Sequence, residues 1–334
     1  SSADAFAHLF SENRVLLTYD FVRGQEDVFL YDKHGTEVLS VIGGFLPGTF
    51  VGGAYKATFQ LYITEYVPSE HHVEEYNWLF AAERADSAGV DIINSSLGYN
   101  TFDDPSVDYV HADMDGKTTI ITRAAELAID RGILVIVSAG NEGNNSWGLV
   151  TAPADGENVL SVGAINSFGE RSNSSSKGPT ADGRIKPDVM AMGVGTAVIK
   201  PNGSTGVNSG TSFAAPLVTG LVGGILQRYP DLSPEEVIQI LHESSSQAAQ
   251  PDNLMGYGIP NFVAVVNLLE WEPQDELLIV YPNPVRDTLT IKPRSPVEIT
   301  ELRVEIVTLQ GQQVVDQTVA FDWLNRSFVT DLRD

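Results

Sequence analysis

Three short segments of this sequence carry side chains whose types and settings could do chemistry. The first is residues 208–216, NSGTSFAAP, in which Ser212 stands between a glycine-containing turn and a run that reads as a helix. A serine at a helix N-terminus holds its hydroxyl beside backbone N–H groups that lack helical partners, and beside the positive end of the dipole. That setting stabilises an oxyanion forming nearby, although the same residues would also serve as an ordinary N-cap. The second is residues 33–38, KHGTEV, where His34 directly precedes Gly-Thr at a helix start and can present its ring to a cleft. The third is residues 138–143, SAGNEG, directly after the apolar run 133–137. A side-chain amide at the end of a central parallel strand lies where α/β folds place ligands, and Asn141 would equally suit a turn. His8, His71, His72, His111 and His242 have no comparable setting and read as surface or packing residues.

Side chains so far apart in sequence need rigid elements to bring them together. Strands are predicted over 14–21, 59–66, 90–96, 133–139 and 159–165, and helices over 35–42, 76–88, 118–131, 212–229 and 234–243. Val- and Ile-rich runs, apolar on both faces and separated by helices, imply a parallel sheet covered on both sides, which is an α/β domain. Ser233 is the expected N-cap of the last of these helices, with Glu235 and Glu236 in its first turn. Pro216 is tolerated by lying near the start of the helix that carries Ser212. Around residues 272–276 (EPQDE) the character changes to alternating strands over 277–280, 288–292, 299–309 and 312–319, with no obvious strand before Asp334. The expected division is an α/β domain over 1–271, a linker over 272–276 and a partial β-sandwich over 277–334. The serine-rich run 172–176 reads as a surface loop.

Composition limits the classes of function. The 334 residues are 43% apolar and 19% charged, a globular balance, with a net charge of −24 and an isoelectric point near 4.4. Nucleic acid and anionic membranes would be repelled. No cysteine is present, which excludes disulfides, thiolate nucleophiles and Cys-type zinc sites. No apolar run approaches the roughly 20 residues needed to span a bilayer, so membrane insertion is not expected. The first ten residues have neither a basic nor an apolar region of a signal peptide, and both ends read as truncated.

Taken together, the NSGTSFAAP, HGTEV and SAGNEG segments resemble those of subtilisin-like serine proteases, over about residues 14–268. Residues 92–98 (IINSSLG) are similar to the strand that pairs with substrate backbone in that family, and 178–189 (GPTADGRIKPDV) also resembles a family segment. The resemblance implies a three-layer fold around a central parallel sheet, and hydrolysis of internal peptide bonds in protein or peptide substrates. Ser212 would be the nucleophile, His34 the general base, and Asn141 with the Ser212 N–H the oxyanion hole. The pocket for the residue before the cut would be walled by Ser96, Leu97, Gly98, Ala139, Gly140 and Asn141. Its base would lie at Val150 and Thr151, with Glu142 at the rim. No cofactor is required for this chemistry. Structural calcium is common in the family, but no ligand set carries over residue by residue, so the metal ligands are unknown. Residues 111–116 (HADMDG) fail the EF-hand pattern, and His71, His72, Glu74 and Glu75 lack H-E-x-x-H spacing.

The family's third triad member departs from the pattern. The orienting aspartate should end an apolar strand well before the histidine, and Asp4, Asp20, Asp27 and Asp32 do not fit. That aspartate is expected upstream of Ser1, on a strand lying beside residues 133–139. The tail, with LIVYPNPVRDTLTI (278–291) and VEIVTLQGQQVV (304–315), resembles the sorting domain of the type IX secretion pathway. This implies a bacterial protein that is secreted or at the cell surface, with the secretion machinery as a partner. Two alternatives stand beside the endopeptidase: a catalytically degenerate, secreted binding module, and an acid-acting serine peptidase using Glu and Asp, against which His34-Gly-Thr argues.

Overall fold

In the computed structural model the described residues are 2–29, 31–270, 278–281, 288–293, 300–307, 313–320 and 327–331. They belong to two compact units, Ser1–Leu269 and Glu270–Asp334. The first unit begins with α1 (Ser2–Ser11), β1 (Val15–Asp20), α2 (His34–Gly43), β2 (Phe45–Leu46), β3 (Phe50–Val51) and β4 (Phe59–Ile63). It continues with α3 (Val73–Ser87), β5 (Ile92–Ser95), α4 (Ile120–Ile129), β6 (Leu134–Ser138), β7 (Leu160–Ile165) and β8 (Val189–Met192). The hairpin of β9 (Thr196–Ile199) and β10 (Thr205–Asn208) then leads into α5 (Thr211–Arg228), α6 (Pro234–Ser244) and α7 (Phe262–Glu270).

β5, β6, β7 and β8 form a parallel sheet in that order. The period-2 alternation of β6 shows how it is covered. Val135 and Val137 enter one core with Trp78 and Ala82 of α3 and Ile121 and Ala125 of α4. Leu134 and Ile136 enter a second core with Val218, Val222 and Ile225 of α5, Val237 and Leu241 of α6, and Val265 of α7. All five residues of β6 are buried, as a strand covered on both faces must be. α6 starts as its sequence demands: Ser233 accepts from the Glu236 N–H, and Glu236 accepts in return from the Ser233 N–H at 2.8 Å.

Three expectations are corrected here. A further strand beside residues 133–139 is ruled out, because β6 already pairs with β5 on one side and β7 on the other. The break lies elsewhere: β1 and β4 form a separate two-stranded parallel sheet. Each of β4 and β5 therefore has one edge without a strand partner among the described residues. Second, Pro216 is the sixth residue of α5, past the first turn. Its missing N–H leaves the Ser212 carbonyl without a helical donor, and the Ser96 hydroxyl supplies one at 2.9 Å. Third, the serine run 172–176 is not merely a surface loop. Ser175 and Ser176 are fully buried and hydrogen-bond Ala164 and Glu142.

One buried ion pair ties β7 to β8. The Asp188 carboxylate accepts from the N–H and hydroxyl of Ser161 and from the Lys186 ammonium at 2.7 Å. The ammonium also donates to the Val159 carbonyl.

In the second unit β11 (Leu278–Tyr281), β12 (Thr288–Pro293) and β15 (Phe328–Asp331) form an antiparallel sheet, and β13 (Glu301–Val307) pairs with β14 (Gln313–Ala320). Leu289, Ile291, Val304 and Phe328 fill its core. The sequence reading missed β15, whose four residues are too few for alternation to stand out. The expected linker, the P-N-P of the YPNP string and the LQGQ turn lie outside the described residues.

Candidate active site

Ser212 is the second residue of α5, where the first-turn N–H groups have no helical partner. Gly210 precedes it with φ +144°, a conformation that only glycine adopts without strain. The two neighbours of Ser212 connect it to the other sequence-predicted groups. The Asn141 side-chain oxygen accepts from the Thr211 N–H at 3.0 Å and from the Thr211 hydroxyl at 3.2 Å. The Asn141 amide nitrogen is thereby left with no protein acceptor among the described residues, on an exposed side chain. On the other flank, the His34 ring packs edge-on against Phe213, with centroids 5.7 Å apart. The three segments converge on one helix start.

His34 is the first residue of α2, and the helix is moored to the nucleophile loop through Glu37. The Glu37 carboxylate is 2% exposed and accepts from the Asn208 side chain at 2.7 Å. The one signal of this contact in the sequence is a charged residue on the inward face of an otherwise apolar helix. Burial holds the His34 pKa below the usual histidine value, partly opposed by the charges of Asp32 and Glu37. Asp32 accepts from the His34 backbone N–H. No carboxylate hydrogen-bonds the His34 ring among the described residues. The Ser212 hydroxyl donates to the Ser96 carbonyl at 3.3 Å, rather than to His34.

Ser96 and Ser212 thus exchange hydrogen bonds, each through its hydroxyl to the other's carbonyl. Asn94 supports the Ser96 hydroxyl and is itself held by Thr219 of α5. Gly98 and Gly140 both face Thr151: a Cβ on either would lie 2.3 Å or 2.9 Å from its hydroxyl. Thr151 therefore fills the wedge between these two backbone segments and is 3% exposed. Ala139 is buried beneath them, and Leu97 packs against the α3–α4 core. Gly140, at φ +103°, also has no room for a Cβ against the Ser176 hydroxyl at 2.8 Å. The buried serine run thus shapes the loop that carries Asn141. Glu142 accepts from the Asn145 side chain and lines a cleft of about 330 Å³ with Asn100, Thr101, His111 and Trp147.

Of the groups set aside in sequence, His72, Glu75 and His111 have structural partners here. Glu75 accepts from His72, from the Tyr109 hydroxyl and from the Ile121 N–H, which satisfies it without a metal. The His111 Nε2–H donates to the Trp147 carbonyl at 3.0 Å.

Residues 18–258 match the model of the Subtilase family, and residues 279–330 match that of the Secretion system C-terminal sorting domain. The serine protease AprX of Bacillus subtilis (strain 168) is 34% identical over 194 residues, covering 52% of this chain and 42% of that protein. Subtilisin of Bacillus pumilus is 32% identical over 216 residues, covering 64% of this chain and 70% of that protein. Against the first, the chain spans less than half of its relative's length. The self-cleaved protease domain of PatA is similar in structure, with a TM-score of 0.57 and 27% identity over 71% of this chain and 83% of that one. The sorting-domain match indicates secretion or cell-surface localisation. No helix among the described residues is long and apolar enough to cross a membrane.

Proposed function

Because the chain belongs to the subtilase family of serine proteases, we propose that it is a secreted endopeptidase acting through an acyl-enzyme on Ser212. The observation that carries this reading is the hold of Thr211 on the Asn141 oxygen, which leaves the amide N–H groups free beside the nucleophile. In the proposed reaction His34 takes the Ser212 proton as its oxygen attacks the substrate carbonyl. Burial favours the neutral ring that this step needs. The developing oxyanion accepts from the Asn141 amide and the Ser212 N–H. His34 then gives its proton to the leaving amine, and water, deprotonated by the same ring, releases the acyl group.

Ser96, Leu97 and Gly98 are proposed to bind the substrate as an added strand, with the side chain before the cut entering between them and Ala139, Gly140 and Asn141. Thr151 fills the base of that pocket, which favours a side chain of medium size. Glu142 is the rim residue that would meet a longer basic one. No cofactor takes part in these steps. The orienting aspartate is proposed to reside on a strand that pairs with the open edges of β4 and β5. The sorting-domain region is the proposed contact with the secretion machinery.

A serine-directed fluorophosphonate tests the reading. It is expected to label Ser212 and no other serine, because only Ser212 combines a base with an oxyanion hole. Labelling spread over several serines would instead support a binding module. In a chain carrying the orienting aspartate, Asn141→Leu should lower kcat by about 10²–10³ with little change in KM, a range carried over from subtilisin, a member of the same family. Steady-state kinetics on one peptide substrate decide it; a wild-type kcat would make Asn141 a turn residue only.

A further inference from the structure

One group of side chains outside the proposed chemistry is unsatisfied as it stands. Glu65 follows β4, Glu70 lies in the next loop, and Glu74 is in the first turn of α3. Their carboxylate oxygens all lie within 4.8 Å of one another. Tyr99, just past β5, is 1% exposed, and its hydroxyl makes no well-aligned hydrogen bond among the described residues. That hydroxyl lies beside Glu65. One Glu70 carboxylate oxygen is also buried and makes no well-aligned hydrogen bond among the described residues. A buried hydroxyl and a buried carboxylate oxygen normally find partners, because an unpaired group forfeits its solvation.

The surrounding charges do not supply one. Asp103 accepts from the Glu70 N–H and adds negative charge, as does Asp32. The basic group there, His71, lies 3.8 Å from Asp103. The Tyr66 N–H donates to Glu74 at 3.4 Å, which is weak compensation. Burial, reinforced by mutual repulsion, pushes all three glutamates up to about 7.

We propose that Glu65, Glu70 and Glu74, with the Tyr99 hydroxyl, form a binding site for calcium. The donors are all oxygen, which selects a hard cation over zinc or copper. Oxygens on opposite sides of a calcium ion are about 5 Å apart, at 2.3–2.6 Å per bond, so the observed spread suits it. The ion joins the end of β4, the N-terminus of α3 and the segment after β5, adding to the hydrogen bonds from the Asn77 side chain to the Thr64 carbonyl and from the Asp103 N–H to the Glu70 carbonyl. That last segment matters for substrate. The Tyr99 backbone exchanges hydrogen bonds with Ala152, the neighbour of Thr151, so the ion braces the wall formed by Ser96, Leu97 and Gly98.

The test uses the full chain, freed of metal with a chelator and titrated at pH 8 with calcium by calorimetry, then with terbium under excitation of tyrosine. Wild type should bind calcium, gain Tm on binding, and give terbium emission sensitised by Tyr99. Glu70→Gln and Glu74→Gln should each bind one calcium fewer and lose most of that emission. Their Tm in chelator should equal or exceed that of wild type, since a repelling charge is gone; this separates a lost site from a damaged fold. Tyr99→Phe should keep the calcium count, with weaker affinity, while its terbium emission falls several-fold. The same calcium count in wild type and Glu70→Gln, no calcium uptake by wild type, or unchanged emission from Tyr99→Phe would each overturn the site.

Discussion

Ser212→Ala and His34→Ala, each made in a chain that carries the orienting aspartate, should lower kcat by about a million-fold, and the double variant should lose no more than either alone. The magnitude is carried over from subtilisin, a member of the same family. Non-additivity is the diagnostic part, because a nucleophile without its base and a base without its nucleophile fail at the same step. The positions support the pairing. Ser212 lies at the first turn of α5, with Phe213 packed on the His34 ring and Thr211 fixing Asn141. Single-turnover kinetics with an activated ester would check it. Losses that multiply in the double variant would mean that the two side chains act in separate steps.

The second large effect concerns the missing carboxylate. Residues 1–334 alone should hydrolyse a peptide about 10⁴-fold more slowly than the same chain supplied with an aspartate-bearing strand, the cost of losing the orienting aspartate in related triads. The sheet gives this prediction its place. β4 pairs only with β1, and β5 only with β6, among the described residues. Each therefore offers a row of backbone donors and acceptors, at about 1–3 kcal/mol for each buried group left unpaired. Adding the strand, fused or as a peptide, should raise kcat/KM and also move its acid limb. The His34 pKa is held down by burial, and a carboxylate on its ring would raise it, so the acid limb should shift to higher pH. An Asp→Asn version of the strand that activates equally well would remove the aspartate from the mechanism. A chain that the strand cannot activate at all would favour the binding module.

Much of this was legible in the sequence because the signals were local. His34, Asn141 and Ser212 each sit in a short string whose glycines and small residues announce a turn at the end of an element, and β6 declares itself by five consecutive apolar or small residues. What escaped depends on contacts distant in sequence. Nothing near Pro216 says that its helix will borrow a donor from Ser96, 120 positions earlier. Nothing in the four serines of residues 172–176 says that two of them will be buried behind Gly140. The glutamate trio combines a strand end, a loop and a helix start, so no spacing rule joins Glu65 to Glu74. Sheet order was misjudged for the same reason: β6 reads as central, and it is, but both its neighbours were already in the chain.

The Lys186–Asp188 pair stands in contrast to the glutamate trio. Both are knots of acidic side chains in one domain, but the Asp188 charge is neutralised by an ammonium that the chain itself supplies. A covalently tethered counter-charge cannot be chelated, diluted or exchanged. Despite the opposing effect of burial, the Lys186 ammonium and the neighbouring His242 hold the Asp188 carboxyl well below the usual range. A depressed carboxyl contributes stability above its unfolded pKa and loses it only as pH falls through the folded one, so this contribution persists into strong acid. The β7–β8 half of the domain is thus indifferent to the ionic make-up of its surroundings. The β4–β5 half, where the counter-ion is a guest, takes its stiffness from the medium.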